Sequence, residues 1–312
     1  MNQSIIDEIT AGLQSGTPFI APKFFYDEIG SRLFEAITFL EEYYPTRVEK
    51  SIMKTHEQKI ASAIGACDVL LDLGAGNCAK ASELFNSVNP KQYLALDISK
   101  DFLELAIAEL QKKFPHIEMT AQVCDLNQPL NFPDLAGKKK TFFYPGSSIG
   151  NFNPDQVSHF FKNIATICDG SGGLLIGVDL VKDKDVLQKA YDDSLGITAA
   201  FNLNVLKHVN RIIGSDFDVS NWEHFAIFNE EESRIEMHLR AKHDVSVTWS
   251  TQSMQFSAGE RIHTENSYKY TKASFSDLLT KAGFANVQAW TDPKELFMVC
   301  YAKAWSKMAL FN

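Results

Sequence analysis

The stretch DVLLDLGAGN, residues 68–77, decides the fold. Val69, Leu70, Leu71 and Leu73, an apolar run broken only by Asp72, read as a strand buried on both faces, and Gly74 and Gly76 then turn the chain. The helix-compatible CAKASELFNSV follows at 78–88, which completes a strand, a glycine turn and a helix. Working outward, QYLALDIS (92–99) is a second strand ending in the acid Asp97, and residues 101–114 supply a crossover helix with Phe102, Leu105, Ala106, Leu110 and Phe114 at helical spacing. EMTAQVCDL (118–126), TFFYPGSSIGN (141–151) and GGLLIGVDLV (172–181) read as three more strands, with a helix over PDQVSHFFKNIATI (154–167) between the last two. Strands alternating with helices at this rhythm imply an α/β fold with a doubly wound sheet.

After Val181 the rhythm breaks. Helices over DVLQKAYDDS (185–194) and AAFNLNVLKHVNRII (199–213) lead into alternating segments at 224–242, 245–260 and 262–270 that suit an antiparallel meander. ASFSDLLTKAGF, ANVQAWTD and LFMVCYAKAW then return to a helix and two strands, so the second unit is inserted in the first. The expected division is 48–181 with 271–312 for the Rossmann-like unit, and 1–47 with 182–270 for an α+β substrate-binding unit. Upstream, Leu33, Ile37, Leu40 and Tyr44 fall at helical spacing, which makes Tyr44 the last buried residue of a helix that Pro45 ends, while Tyr43 points off that stripe.

Composition narrows the function. The 312 residues are 45% hydrophobic and 22% charged, as in globular proteins, and the formal charge of -9 argues against nucleic-acid or anionic-membrane partners. The one basic run, Lys138-Lys139-Lys140, reads as a solvated turn before a strand. Five cysteines without C-x-x-C spacing signal neither a disulfide framework nor zinc, and eight histidines show no metal-ligand spacing, so no metal is expected. The N-terminus MNQSIIDEIT lacks a signal peptide's basic and apolar regions, and no run approaches a membrane span. A monomeric cytoplasmic protein acting on a small molecule is the expectation.

Chemistry concentrates at the carboxyl ends of the strands, where open α/β sheets bind ligands. Gly74 and Gly76 let a ligand approach the backbone at a helix start, but the third glycine of a dinucleotide fingerprint is missing. Lys80 can neutralise a ligand carboxylate, Asp97 can bind a ribose diol, and Asp125 can accept from an adenine amino group. A G-x-G followed by an acid after each of the next two strands is the layout of a class I S-adenosylmethionine site. The alternative reading is of turn glycines and helix caps.

With these residues in place, the chain resembles the histidine-specific Nα-methyltransferases of ergothioneine biosynthesis, which convert histidine to hercynine. The resemblance is carried by FFYDEIGSRLFEAITFLEEYYPTRVE (24–49), YPGSSIGNF (144–152), VDLVKD (178–183), AYDD (190–193), ITAAFNLNVLKHVNR (197–211), DFDV (216–219), RIEMHLRA (234–241) and GERIHTENSYKY (259–270). It implies a seven-stranded methyltransferase sheet with a second domain, and S-adenosylmethionine as cofactor. It further implies that Tyr26, Tyr43, Asn151 and Tyr191 surround the amino-acid head, with Tyr26 and Tyr43 nearest the chemistry. By the same resemblance Glu265 and Ser267 read the imidazole and Met237 lines its pocket. On the cofactor side it implies Gly74 and Gly76 at the methionine part, Lys80 at its carboxylate, Asp97 at the ribose and Asp125 at the adenine. The chain departs from the family at Asn77-Cys78, where Ser and Thr are usual, and the poor donor Cys78 puts cofactor affinity in question. Each residue also has a plain reading, with Tyr26 and Tyr191 as half-buried tyrosines, Glu265 as an exposed strand acid and Met237 as core. Two rival functions stay open: the same fold acting on another amino-acid amine, such as a tryptophan derivative, and a non-catalytic cofactor-binding scaffold. The number of methyl groups is also open.

Overall fold

A computed structural model describes residues 3–305, apart from the side chains of residues 100–102. Residues 1–2 and 306–312, at the ends of two expected segments, lie outside the described residues, as does the expected core role of the Phe102 side chain. In chain order the strands are β1 Val69–Leu73, β2 Gln92–Asp97, β3 Glu118–Val123, β4 Lys140–Tyr144, β5 Gly172–Asp179, β6 Trp222–Asn229, β7 Arg234–Ala241, β8 Val245–Trp249, β9 Gln252–Phe256, β10 Arg261–Tyr268, β11 Phe284–Thr291 and β12 Phe297–Ala304. The chain splits into two compact units, one of Met1–Tyr44 with Lys182–Tyr268 and the other of Pro45–Val181 with Lys269–Asn312.

The second of these units is built on a seven-stranded sheet of order β11-β12-β5-β4-β1-β2-β3. β1 to β5 are parallel, and β12 enters antiparallel between β5 and β11. The central strands β1, β4 and β5 are buried along their whole length, which is why Val-Leu-Leu, Thr-Phe-Phe and Leu-Leu-Ile runs form them. The edge strand β3 is largely exposed and correspondingly polar. The helix Pro154–Cys168 buries Val157, Phe160, Phe161, Ile164 and Cys168 at three- and four-residue spacing, each such side chain contributing about 1.5–3 kcal/mol.

Several local expectations change here. Leu105 is 70% exposed, and the buried face of the helix Lys100–Lys113 runs instead through Leu103 and Leu110. The basic run is not a solvated turn: Lys140 opens β4, is buried, and its ammonium is satisfied by the carbonyls of Leu135 (2.9 Å) and Lys138 (2.8 Å).

The unit of Met1–Tyr44 and Lys182–Tyr268 holds a three-stranded antiparallel sheet, β10-β7-β6, and a separate hairpin, β8-β9. The expected meander is therefore divided, because β10 skips the hairpin to pair with β7. The helix Ile197–Ile213 packs Phe201, Val205, Leu206, Val209 and Ile213 inward. Upstream, one helix spans Glu28–Ile37 and the next begins at Tyr44 and runs to Thr55. Pro45 thus opens a helix instead of ending one, as its preset φ and missing N–H allow at a first-turn position. The unit boundary falls at this Tyr44/Pro45 step, three residues before the expected one. At the other end Lys269 and Tyr270 belong with the large sheet, where Lys269 pairs with Asp179 at 2.9 Å and the Tyr270 amide donates to the Asp179 carbonyl.

Candidate active site

The glycine loop after β1 is held from β2. Gly74 and Gly76 take positive φ angles of 68° and 52°, conformations that favour glycine, and the Gly74 and Ala75 amides donate to the Leu96 carbonyl. Apart from each glycine and its two chain neighbours, no described atom lies within 4 Å of where a Cβ would stand on either glycine, so the loop is open on that side. The Asp97 carboxylate accepts from the Gly76 amide at 2.9 Å and from the Ser99 amide at 3.0 Å. Each oxygen retains a lone pair for a further donor. β3 ends at Val123, and Asp125 lies two residues beyond it, accepting from the Asn127 backbone and side-chain nitrogens at 2.9 Å. The Cys124 amide donates to the Asp97 carbonyl, which ties this segment to the end of β2.

Lys80 lies in the short helix Ala79–Ser82 with a side chain 41% exposed, bonded to Glu49 at 2.7 Å. Cys78 is not on offer to a ligand. It sits at positive φ with its thiol wholly buried, and that burial pushes it up to about 12. Exposed Asn77 instead caps the turn by accepting from the Ala79 amide. The departure flagged at Asn77-Cys78 therefore concerns loop packing.

Beneath the loop, Asp72 is buried and accepts from the Tyr93 hydroxyl at 2.7 Å, while its Oδ1 has no partner among the described residues. Burial pushes its carboxyl up to about 7; Tyr93 and Lys80 oppose the rise, and Asp97 and Glu49 add to it. A raised acid stabilises the fold most below its unfolded value and loses that contribution as pH climbs through about 7. The Asp72 contribution to stability is therefore expected to fall by an amount on the order of 4 kcal/mol between pH 4 and pH 8, so Asp72→Asn should gain melting temperature relative to wild type as pH rises over that range. Parallel profiles for the two proteins would contradict this.

Of the residues expected to meet the acceptor, Tyr26, Tyr43, Tyr191, Met237, Glu265 and Ser267 belong to the unit of Met1–Tyr44 and Lys182–Tyr268; Asn151 belongs to the other, ending the 3₁₀ turn Ser148–Asn151 that follows β4. Glu265 pairs directly with Met237 across β10 and β7, so the two share a face. Ser267, two residues on, lies on that face too, and its hydroxyl shares a 2.6 Å hydrogen bond with Tyr191. Glu265 is buried, not an exposed strand acid. The rings interlock: Tyr43 is edge-on to Tyr191 at 6.2 Å and to Phe34 at 6.3 Å, and Tyr26 is edge-on to Phe34 and Phe201. Both members of the tyrosine pair are buried, but they differ in partners. The Tyr44 hydroxyl accepts from Lys182 at 2.7 Å, whereas Tyr43 joins the ring cluster.

A network that sequence reasoning missed supports this face. Asn202, fully buried on the helix Ile197–Ile213, donates to His224 Nδ1 (2.8 Å) and to the His238 carbonyl (2.9 Å), and accepts from Thr264 (2.8 Å). His224 is thereby set as the tautomer whose Nε2–H donates to the Tyr191 carbonyl at 2.8 Å, and burial lowers its tendency to protonate. An asparagine within the apolar stripe Phe201, Val205, Leu206 was the one available signal.

The sheet order, with a glycine loop after β1 and an acid closing β2, defines a class I S-adenosylmethionine methyltransferase. The chain belongs to the family described as histidine-specific methyltransferase, SAM-dependent, which matches residues 5–304. It is 38% identical over 292 residues to a histidine N-alpha-methyltransferase of Mycolicibacterium smegmatis, covering 92% of this chain and 90% of that one. Ergothioneine biosynthesis protein 1 of Neurospora crassa is 32% identical over 91% of this chain and 33% of its own length. An L-tryptophan methyltransferase, trpM of Psilocybe serbica, is 27% identical over 89% and 86%. The site fits the cofactor: the loop is open where a Cβ would otherwise stand, and an ammonium and a strand-end carboxylate lie in the same unit.

Proposed function

We propose that the protein transfers methyl groups from S-adenosylmethionine to the α-amino nitrogen of free L-histidine, three times in succession, to give the betaine hercynine. The observation that carries this reading is Glu265 opposite Met237 on one buried face, with Ser267 bonded to Tyr191. A buried carboxylate and a hydroxyl on an otherwise apolar face suit an imidazole, which needs an acceptor for its N–H and tolerates apolar walls. An apolar side chain in the same place would bring no donor to the acid and so forfeit about 1–3 kcal/mol relative to an imidazole.

In this reading Gly74 and Gly76 admit the methionine part of the cofactor, Lys80 binds its carboxylate, Asp97 the ribose and Asp125 the adenine amino group. When bound, the cofactor supplies a methyl group already activated by a positive sulfur. The protein's task is then to present a neutral amine in line, for which positioning dominates over strong base catalysis. Tyr191 holds the head group, Tyr26 and Tyr43 orient the nitrogen lone pair and pass its proton to water, and the ring cluster accommodates the growing methylammonium charge.

Mass spectrometry of the protein incubated with S-adenosylmethionine and an equimolar mixture of the common amino acids tests both acceptor and extent. Histidine gaining one, two and three methyls is the expected result. Methylation of tryptophan instead would remove the imidazole roles of Glu265 and Ser267, and no methylation of any amino acid would favour a scaffold.

A further inference from the structure

Glu49 is the last residue of the FFYDEIGSRLFEAITFLEEYYPTRVE motif and lies on the helix Tyr44–Thr55. Its side chain is 4% exposed, and the two carboxylate oxygens are engaged with different loops at the carboxyl edge of the large sheet. Oε2 bonds the Lys80 ammonium at 2.7 Å, in the helix after β1, and Oε1 accepts from the Gly146 amide at 2.7 Å, in the turn after β4. β5 leaves room for it: a Cβ on Gly177 would stand 2.0 Å from Glu49 Oε1. One carboxylate thus ties together segments following β1 and β4 while resting on β5. A charge this buried persists only when paired, and here the pairing fixes the end of an otherwise flexible lysine.

We infer that Glu49 is a positioning residue for cofactor binding, holding the Lys80 ammonium where it receives the carboxylate of the cofactor's methionine half. The inference rests on the reading of Lys80 given above. An ammonium carries three donors, of which Glu49 takes one, so the remaining donors stay available on a side chain that is 41% exposed. Glu49 therefore directs Lys80 without occupying it. A Cβ on Gly146 would lie 3.1 Å from the Lys80 nitrogen, so the turn after β4 limits the ammonium on a further side.

The test separates the two halves of the cofactor. Binding of S-adenosylhomocysteine and of 5′-methylthioadenosine, which lacks the amino-acid half, is measured by calorimetry for wild type, Glu49→Gln and Lys80→Met, with melting curves to establish folding. Glu49→Gln should weaken S-adenosylhomocysteine roughly tenfold, about 1.4 kcal/mol, and leave methylthioadenosine unchanged. In turnover it should raise the KM for S-adenosylmethionine with kcat at saturation and the histidine KM preserved. Gly177→Ala, which drives a methyl group into the Glu49 carboxylate, should reproduce the same selective loss and serves if Glu49→Gln does not fold. Equal weakening of both ligands would reduce Glu49 to a structural role and overturn the proposal. A selective loss in Lys80→Met but none in Glu49→Gln would overturn it while sparing the Lys80 assignment. An unchanged ligand ratio in Lys80→Met would remove that assignment, and the proposal with it.

Discussion

Replacing Glu265 with Leu is expected to lower kcat/KM for histidine by about 10²-fold while leaving S-adenosylhomocysteine affinity as it is. The carboxylate is buried and opposite Met237, so an imidazole N–H placed there has an acceptor that water does not easily replace. Hydrogen bonds to a charged partner contribute about 1.5–3 kcal/mol, which corresponds to roughly 10- to 150-fold. Leucine nearly conserves the volume, so the loss reports the interaction more than a cavity. Discrimination should also narrow, with amino acids bearing apolar side chains gaining relative to histidine. Steady-state kinetics on histidine, leucine and tryptophan read both effects; a change in the histidine value of less than threefold would mean that Glu265 does not recognise the imidazole.

Asp97→Ala should raise the KM for S-adenosylmethionine about 10²-fold without altering the histidine KM. This carboxylate holds the Gly76 amide at 2.9 Å and the Ser99 amide at 3.0 Å. Its removal loosens the glycine loop as well as deleting the acceptor for the ribose. One lost hydrogen bond from the ribose to a charged group, at about 1.5–3 kcal/mol, covers the roughly 2.7 kcal/mol equivalent to that factor. Asp97→Asn retains one acceptor oxygen and should fall between. An equal rise in the histidine KM would point to a general loss of folded protein, and an unchanged cofactor KM would exclude the ribose role.

Much of the large unit was legible from local pattern. Buried parallel strands need apolar runs at every position, so β1, β4 and β5 announce themselves, and a strand followed by glycines and a helix leaves few alternatives. The candidate site was proposed from the sequence for a different reason, since its residues sit in motifs whose spacing is specific. Local pattern misled in three places. Leu105 keeps helical spacing but faces solvent, Lys140 carries a charge but is buried under carbonyls, and Pro45 begins a helix in a place where a preceding apolar stripe suggested an end.

By itself, then, the sequence determined the α/β class, the interrupted order of the two units, the glycine loop and the acid at the end of β2, because each depends on residues close along the chain. Tertiary structure alone decided that β10 pairs with β7 across the hairpin, that Asn202 fixes His224 behind Tyr191, and that Glu49 joins Lys80 to Gly146. These contacts link residues 31 to 97 positions apart in the case of Glu49, and the partner of a buried polar group is set by which chain segments packing brings within about 3 Å, a property no local pattern carries.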